Sequence, residues 1–311
     1  MRCLVTGGYG FIGSHVVAAL REAEHETIIL DINGDCDYQV NICNTVEVER
    51  AFRESQPKVV FHIAAIADAR YALNDPVKAV QINLGGTVSV LEAARRAGVK
   101  RVILASTCWV ANAMGSGILD ESSPFNAVGG EHVYTTTKIA SEMMAHDFHS
   151  LYGLNFTILR YGIPYGPGMW AGLVLRNWLD KASAGEPLVV YGDGSASRRF
   201  LYVKDLAQAH VLALQEVAKN QTYNLEGMRA ITVRELADVF QRVWGPIEIE
   251  YRPEPSRIGE FQYMRKIISN AKAYVELGWE PTTDLEDGIK KTVNWYRSQI
   301  PQAAKEVQLG A

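Results

Sequence analysis

A tyrosine and a lysine four positions apart are the first residues of this 311-residue chain that could do chemistry together. Tyr134 and Lys138 stand in Tyr-Thr-Thr-Thr-Lys, where apolar residues begin to recur at helical spacing, so the pair shares one helical face. A neighbouring ammonium favours the phenolate, which moves a tyrosine toward use as a base near neutral pH. Thr107, 27 residues upstream at the end of the apolar run Arg101-Val102-Ile103-Leu104-Ala105, offers a hydroxyl that can hold a substrate oxygen. The chemistry is removal of a proton from an alcohol.

Such a group needs an electron acceptor, and residues 2–31 describe one way of holding it. A short strand, Arg2 to Thr6, runs into Gly7-Gly8-Tyr9-Gly10-Phe11-Ile12-Gly13, then into an apolar-periodic helix through Leu20 and a second strand ending at Asp31. In such a βαβ unit Gly7 permits the tight turn, Gly10 lets the backbone approach a pyrophosphate, and Gly13 lets helix pack closely on strand. The helix N-terminus then meets the anion. Asp31, 18 positions beyond Gly13, can accept hydrogen bonds from an adenosine ribose and would repel a 2′-phosphate, which points to NAD over NADP.

Downstream, apolar strands alternate with helical stretches. Val59 to Ile63 precedes a helix over Val77–Ala97, Arg101 to Ala105 precedes a loop, and a helix over Val133–Tyr152 precedes a strand over Asn155–Arg160. This alternation predicts an α/β fold, a doubly wound parallel sheet of Rossmann type with a smaller α/β substrate domain. Gly162, Pro164, Gly166, Pro167 and Gly168 break the pattern. The expected boundary lies there: residues 1–162 form the dinucleotide domain, completed by about 198–228 and 262–272, and the rest of 163–311 is mainly substrate-binding. A frayed tail is expected after Ile300.

A formal net charge of -4, with 21% charged residues, leaves no basic field for nucleic acid or an anionic membrane. No apolar run approaches the roughly 20 residues that span a bilayer, so a cytoplasmic protein is expected. Cys3, Cys36, Cys43 and Cys108 form no C-x-x-C pair and suggest neither disulfides nor a metal site.

The chain resembles the extended short-chain dehydrogenase/reductase family, the NAD-dependent sugar-nucleotide epimerases and dehydratases, over nearly its whole length. The resemblance is carried by Thr6 to His15, His62-Ile63-Ala64-Ala65, Asn83, Ser106-Thr107, the Tyr134/Lys138 pair, Tyr165-Gly166-Pro167-Gly168 and Arg199-Phe200-Leu201-Tyr202-Val203-Lys204-Asp205. It implies a catalytic triad of Thr107, Tyr134 and Lys138, and a cofactor cleft formed by Gly7, Gly10, Phe11, Ile12, Gly13, Asp31, Asn41, Ile42, Ala64, Ala65 and Tyr161 with the triad's Tyr134 and Lys138. It implies substrate contacts from Cys108, Trp109, Tyr165, Arg199 and Arg257, a nucleotide-sugar substrate, and a homodimer paired through two long helices. The implied reaction is epimerisation at C4 through a transient 4-ketone. A net dehydrogenase or ketoreductase is the alternative.

Departures from the family pattern narrow this. Dehydratases of the family place an Asp-Glu pair directly after the catalytic threonine, where Cys108 and Trp109 stand, and decarboxylating members keep a glutamate at the Trp109 place. A 4-epimerase needs neither acid. Cys108 leaves open an unusual dehydration or C5 epimerisation, with a small buried filler as the plainer reading. Val110-Ala111-Asn112 replaces Val-Tyr-Gly, and Ile163 replaces an asparagine that contacts substrate, so either the sugar or diphosphate is held differently or the substrate is not a common nucleotide sugar. His62 reads as a residue in a local hydrogen bond. Arg198, Arg199 and Arg257 could clamp a diphosphate, and Met169 and Trp170 could stack on a base or pack locally.

Overall fold

The computed structural model describes residues 1–111, 117–125, 132–253 and 266–300. The chain runs β1 (Arg2–Thr6), α1 (Phe11–Glu22), β2 (Glu26–Asp31), β3 (Tyr38–Gln39), α2 (Thr45–Ser55) and β4 (Val59–His62). Next come α3 (Ala69–Asn74), α4 (Pro76–Val80), a π-helical turn at Gln81–Gly85 and α5 (Gly86–Arg96). β5 (Arg101–Thr107), a 3₁₀ turn (Cys108–Ala111), β6 (Gly117–Leu119), α6 (Val133–Tyr152) and β7 (Phe156–Tyr161) follow. Then come β8 (Ile163–Tyr165), α7 (Val174–Ser183), β9 (Leu188–Tyr191), β10 (Ser197–Arg198), β11 (Phe200–Tyr202), α8 (Val203–Leu212) and β12 (Gln221–Leu225). The last elements are β13 (Ile231–Thr232), α9 (Val233–Trp244), β14 (Ile249–Arg252), β15 (Lys266–Ile268) and α10 (Leu285–Gln299).

Two compact units result. The first comprises Met1–Gly162, Leu206–Glu226 and described residues 266–280. Its centre is a seven-stranded sheet in the order β12-β7-β5-β4-β1-β2-β3, every neighbouring pair parallel. β4, β5 and β7 are buried along their whole length, which is why their centres read as apolar runs and not as alternating strands. From β1 the chain builds outward first through β2 and β3, then in the other direction through β4 and β5. The strand order therefore reverses between β1 and β4, and in open α/β sheets a crevice for ligand opens beyond the carboxyl ends at such a point.

Local chemistry sets the helix ends around this crevice. Asp68 caps α3, accepting from the Arg70 backbone N–H, and Asp75 caps α4 with Pro76 at its first position. The helix expected over Val77–Ala97 is α4 and α5 joined through the π-turn that contains Asn83, a local widening of the kind that accompanies a side chain turned to a specific task. Gly153, in the left-handed region, ends α6.

The second unit comprises Ile163–Asp205 and described residues 227–253 and 281–300. β8 pairs with β11 and β9 with β14, both parallel, and β10 pairs antiparallel with β13. The chain re-enters the first unit only at Leu206, inside α8, and not at 198 as expected, because β10 and β11 spend residues 197–202 pairing with β13 and β8.

One face of the sheet is closed by α2 and α5, whose apolar side chains join Leu4, Leu30, Val60 and Val102 in a continuous core. Phe52, fully buried on α2, sits within it. Phe52→Ala should cost about 3–5 kcal/mol of unfolding free energy, read by urea titration. A loss below about 1 kcal/mol contradicts a close-packed core at this point.

Candidate active site

The first turn of α1 is built for an anion. Gly10 is its N-cap, with no capping side chain, and the first turn holds no acidic residue, so the helix's N-terminal dipole is not neutralised. Gly7 has φ +72°, and a Cβ there would lie 2.8 Å from the Ala64 nitrogen. At Gly13 a Cβ would lie 1.9 Å from the Gly7 carbonyl oxygen. Both glycines are thus required to bring the β1 loop, the β4 loop and α1 together. Gly10 is different: its missing Cβ would meet only the Gly7 oxygen at 3.1 Å, leaving the helix mouth open.

Asp31 holds the far side of this cradle. Its Oδ2 accepts from the Tyr9 backbone N–H at 3.0 Å, and its Oδ1 accepts from Ile32 and Asn33 at 2.7 and 3.2 Å. Three donors leave part of the carboxylate's acceptor capacity for a ribose hydroxyl. Ala64 and Ala65 lie half-buried after β4, where the Ile63 and Ala64 N–H groups bond Thr6. Phe11 is buried, Ile12 half-buried, and Asn41 exposed, its Oδ1 accepting from the Cys43 N–H. Ile42 is core: its side chain fills the space that a Cβ on Gly86 would need.

At the ends of β5 and β7, α6 brings three groups together. Lys138 is buried, with Nζ donating to the Ala105 carbonyl at 2.9 Å, and lies 6.0 Å from the Tyr134 ring centre. Tyr134 shares a hydrogen bond with the buried Thr107 hydroxyl. Burial lowers the Lys138 pKa to about 8, against an upward pull from Glu142. Burial likewise raises the Tyr134 phenol above its ordinary value, and the Thr107 hydrogen bond pulls it back only in part. The tyrosinate therefore depends on positive charge beyond what these three residues supply.

Trp109 donates its backbone N–H to the Thr107 hydroxyl at 3.2 Å. Its ring stands edge-to-face against His132 at 5.6 Å and Tyr134 at 6.2 Å, and His132 meets Tyr134 in the same way at 6.1 Å. An indole thus occupies the wall beside Tyr134 where an acid was absent from the sequence.

Several expected roles do not survive. Cys108 is 3% exposed, its thiol donates to the Arg160 carbonyl at 3.2 Å, and it packs with Leu119 and Ile268. Burial pushes that thiol well above its ordinary value, so it is neither a substrate contact nor an acid or base near neutrality. Tyr165 is core of the second unit, edge-on to Phe200 and Tyr202, with its hydroxyl where a Cβ on Gly288 would be. It is not a substrate contact. Met169 is buried. Tyr161 gives its hydroxyl to His210 Nε2 at 2.6 Å, which leaves ring and backbone for any cofactor contact. Arg199 bonds the Gly227 carbonyl within the second unit, and Arg257 and Asn112 lie outside the described residues. His62 is local, as expected: it bonds Thr6 at 2.8 Å and Thr87 at 3.0 Å, and burial lowers its pKa to about 3.

Asn83 was not singled out as a site residue. Its Oδ1 accepts from the Ile66 N–H and its Nδ2 donates to the Ile66 carbonyl and to Thr137, which ties the β4 loop to α6. Its place among the residues that carry the family resemblance was the available signal.

A family model described as "NAD dependent epimerase/dehydratase family" matches residues 3–225, a span that takes in the cradle, Thr107, Tyr134 and Lys138. The chain belongs to that family. Similar proteins include a putative UDP-glucose 4-epimerase of Methanocaldococcus jannaschii, 32% identical over 95% of this chain and 98% of its own length. A UDP-N-acetyl-alpha-D-glucosaminuronate decarboxylase of Bacillus cytotoxicus is 30% identical over 95% and 98%. Among solved structures, the UDP-glucose 4-epimerase of Thermotoga maritima with UDP-glucose is 30% identical, covers 97% of this chain and 100% of its own, and superposes with a TM-score of 0.87. The cofactor is NAD, and the open helix mouth at Gly10, the Asp31 carboxylate and the buried Lys138 ammonium fit it. Asp31→Ala should weaken NAD binding tenfold or more by calorimetry, since hydrogen bonds to a charged group are worth about 1.5–3 kcal/mol. Unchanged affinity contradicts this assignment of the carboxylate.

Proposed function

We propose that the chain epimerises a nucleoside-diphosphate sugar at C4. The observation that carries this reading is the set Thr107, Tyr134 and Lys138 with no available acid directly after it: residue 108 is a buried thiol and residue 109 an indole packed on Tyr134. Elimination of water or loss of a carboxyl group calls for a further acid or base there. Epimerisation does not.

Bound NAD supplies a reversible acceptor for the hydrogen on the sugar carbon. Thr107 holds the C4 oxygen, and Tyr134 takes the hydroxyl proton as that carbon becomes a ketone. Lys138 stabilises the phenolate, joined by the positive charge of the oxidised nicotinamide. Once the ring has presented its other face, C4 takes back the hydride held by NAD while Tyr134 returns the proton, and the alcohol re-forms with inverted configuration. The indole wall of Trp109 and His132 is suited to the apolar C–H face of a sugar ring.

Two copies are proposed to pair through α4 and α6. Val77 and Val80 on α4 and Met143, Leu151 and Tyr152 on α6 are exposed apolar side chains, and α4 packs against α6. Light scattering should give twice the chain mass, and Val77→Glu with Met143→Glu should halve it. A native monomer contradicts the pairing.

With NAD and UDP-glucose, proton NMR should show UDP-galactose appearing with no net change in nicotinamide absorbance. Tyr134→Phe should slow this by about a hundredfold or more, in line with loss of a positioned base. Stoichiometric NADH instead marks a net dehydrogenase, and a 4-keto-6-deoxy product marks a dehydratase.

A further inference from the structure

Glu142 has no part in the chemistry described so far, yet it is 1% exposed on the helix that carries Tyr134 and Lys138. The three stand at i, i+4 and i+8 of α6 and so follow one face. Their contacts follow the end of β5 in order. Lys138 bonds the Ala105 carbonyl, Ser106 donates to Glu142 Oε1 at 2.5 Å, and Thr107 bonds Tyr134. From β7, Arg160 grips the same carboxylate in a fork, Nε to Oε1 at 3.0 Å and Nη2 to Oε2 at 2.8 Å.

We propose that Glu142 is a positioning residue of the site, a carboxylate locked by Arg160 and Ser106 whose task is to compensate the buried Lys138 ammonium one turn away. The inference rests on the proposed role of Lys138. A solvated surface pair would need no such construction. Here both members of the ion pair are buried, at 2% and 7% side-chain exposure, and Ser106 anchors the carboxylate to the strand that carries Thr107. Buried pairs of this kind contribute little net stability compared with an apolar pair of equal volume, which leaves placement of charge as their use.

Among the described residues, the charges that bear on Lys138 are few. Tyr134 and Glu142 lie on its own helix. From β4 comes His62, kept neutral near pH 7 by burial, and from β5 only the uncharged Ala105, Ser106 and Thr107. From the π-turn and α5 come the uncharged Asn83 and Thr87. Arg160, on β7, acts through Glu142 and is also pulled by Glu121. Burial drives Lys138 toward the neutral amine and Glu142 opposes it. The sign is fixed: without Glu142 the ammonium gives up its proton at lower pH, and less of the site is competent near pH 8.

Glu142→Gln alone strands the Arg160 guanidinium and could unfold the protein. Glu142→Gln combined with Arg160→Met removes both charges at similar volume. Full-length protein with isotopically labelled lysine, with and without NAD, gives the titration midpoint of Lys138 by NMR, the signal assigned by its loss in Lys138→Ala. The native midpoint should lie at about 8. In the double variant it should fall by about one pH unit, a tenfold lower ratio of ammonium to amine. Glu142→Asp, which keeps the charge, should stay nearer the native value than either. An unchanged midpoint in a folded double variant, or in folded Glu142→Gln, overturns the proposal and leaves Glu142 a packing residue. This readout does not depend on turnover. A lowered midpoint in a protein that forms no epimer from UDP-glucose removes the proposed reaction and keeps the role of Glu142, and an unchanged midpoint in one that does form it has the opposite meaning.

Discussion

Burying an ammonium beneath the carboxyl end of a parallel sheet is the constraint on which the rest of the site depends. Lys138 has lost nearly all its water, and such a group persists as a cation only where hydrogen-bond acceptors and an opposing charge replace it. The Ala105 carbonyl supplies the first requirement, which fixes the rotation of α6 against β5. Glu142 supplies the second, and its own burial in turn calls for Arg160 and Ser106. With α6 held in this register, Tyr134 can reach only the end of β5, where Thr107 stands. The position of the phenol thus follows from how the lysine one turn along the same helix is accommodated.

The cradle at the other end of the crevice depends on a different constraint, close approach of backbone. Gly7 and Gly13 admit contacts that any side chain would block, and the result is a β1 loop pressed against the β4 loop with α1 opening directly above. The Asp31 carboxylate closes the loop through the Tyr9 N–H while keeping acceptor capacity for ribose. Asn83 then links the β4 loop to α6 through Ile66 and Thr137. The dinucleotide cradle and the tyrosine helix are therefore linked through partly buried and buried hydrogen bonds, which suits a site in which the cofactor's charge must complete what Lys138 begins.

The parts legible in the sequence are those in which cause and effect lie close along the chain. The glycine spacing, Asp31 at a strand end and the four-residue step from Tyr134 to Lys138 each follow from local geometry. The roles of Glu142 and Asn83 are not legible in the sequence because their partners are remote: Ser106 is 36 positions from Glu142 and Thr137 is 54 from Asn83. Tyr165 and Cys108 fail as substrate contacts for a related reason. A motif gives a residue's place along the chain but not how deeply it is buried, and both side chains are consumed by cores, one in each unit. The returning segment at Leu206 was placed eight residues too early because β10 and β11 are too short to show a period of their own.

The measurement that reaches furthest into this chemistry is the fate of the hydrogen at C4. UDP-glucose deuterated at that carbon, incubated with the protein and NAD in ordinary water, should yield UDP-galactose that still carries deuterium at C4, because the Tyr134 base exchanges only the hydroxyl proton. Deuterium lost to solvent, or a product whose C4 remains unchanged, contradicts a reaction in which the carbon is oxidised and reduced within one closed site.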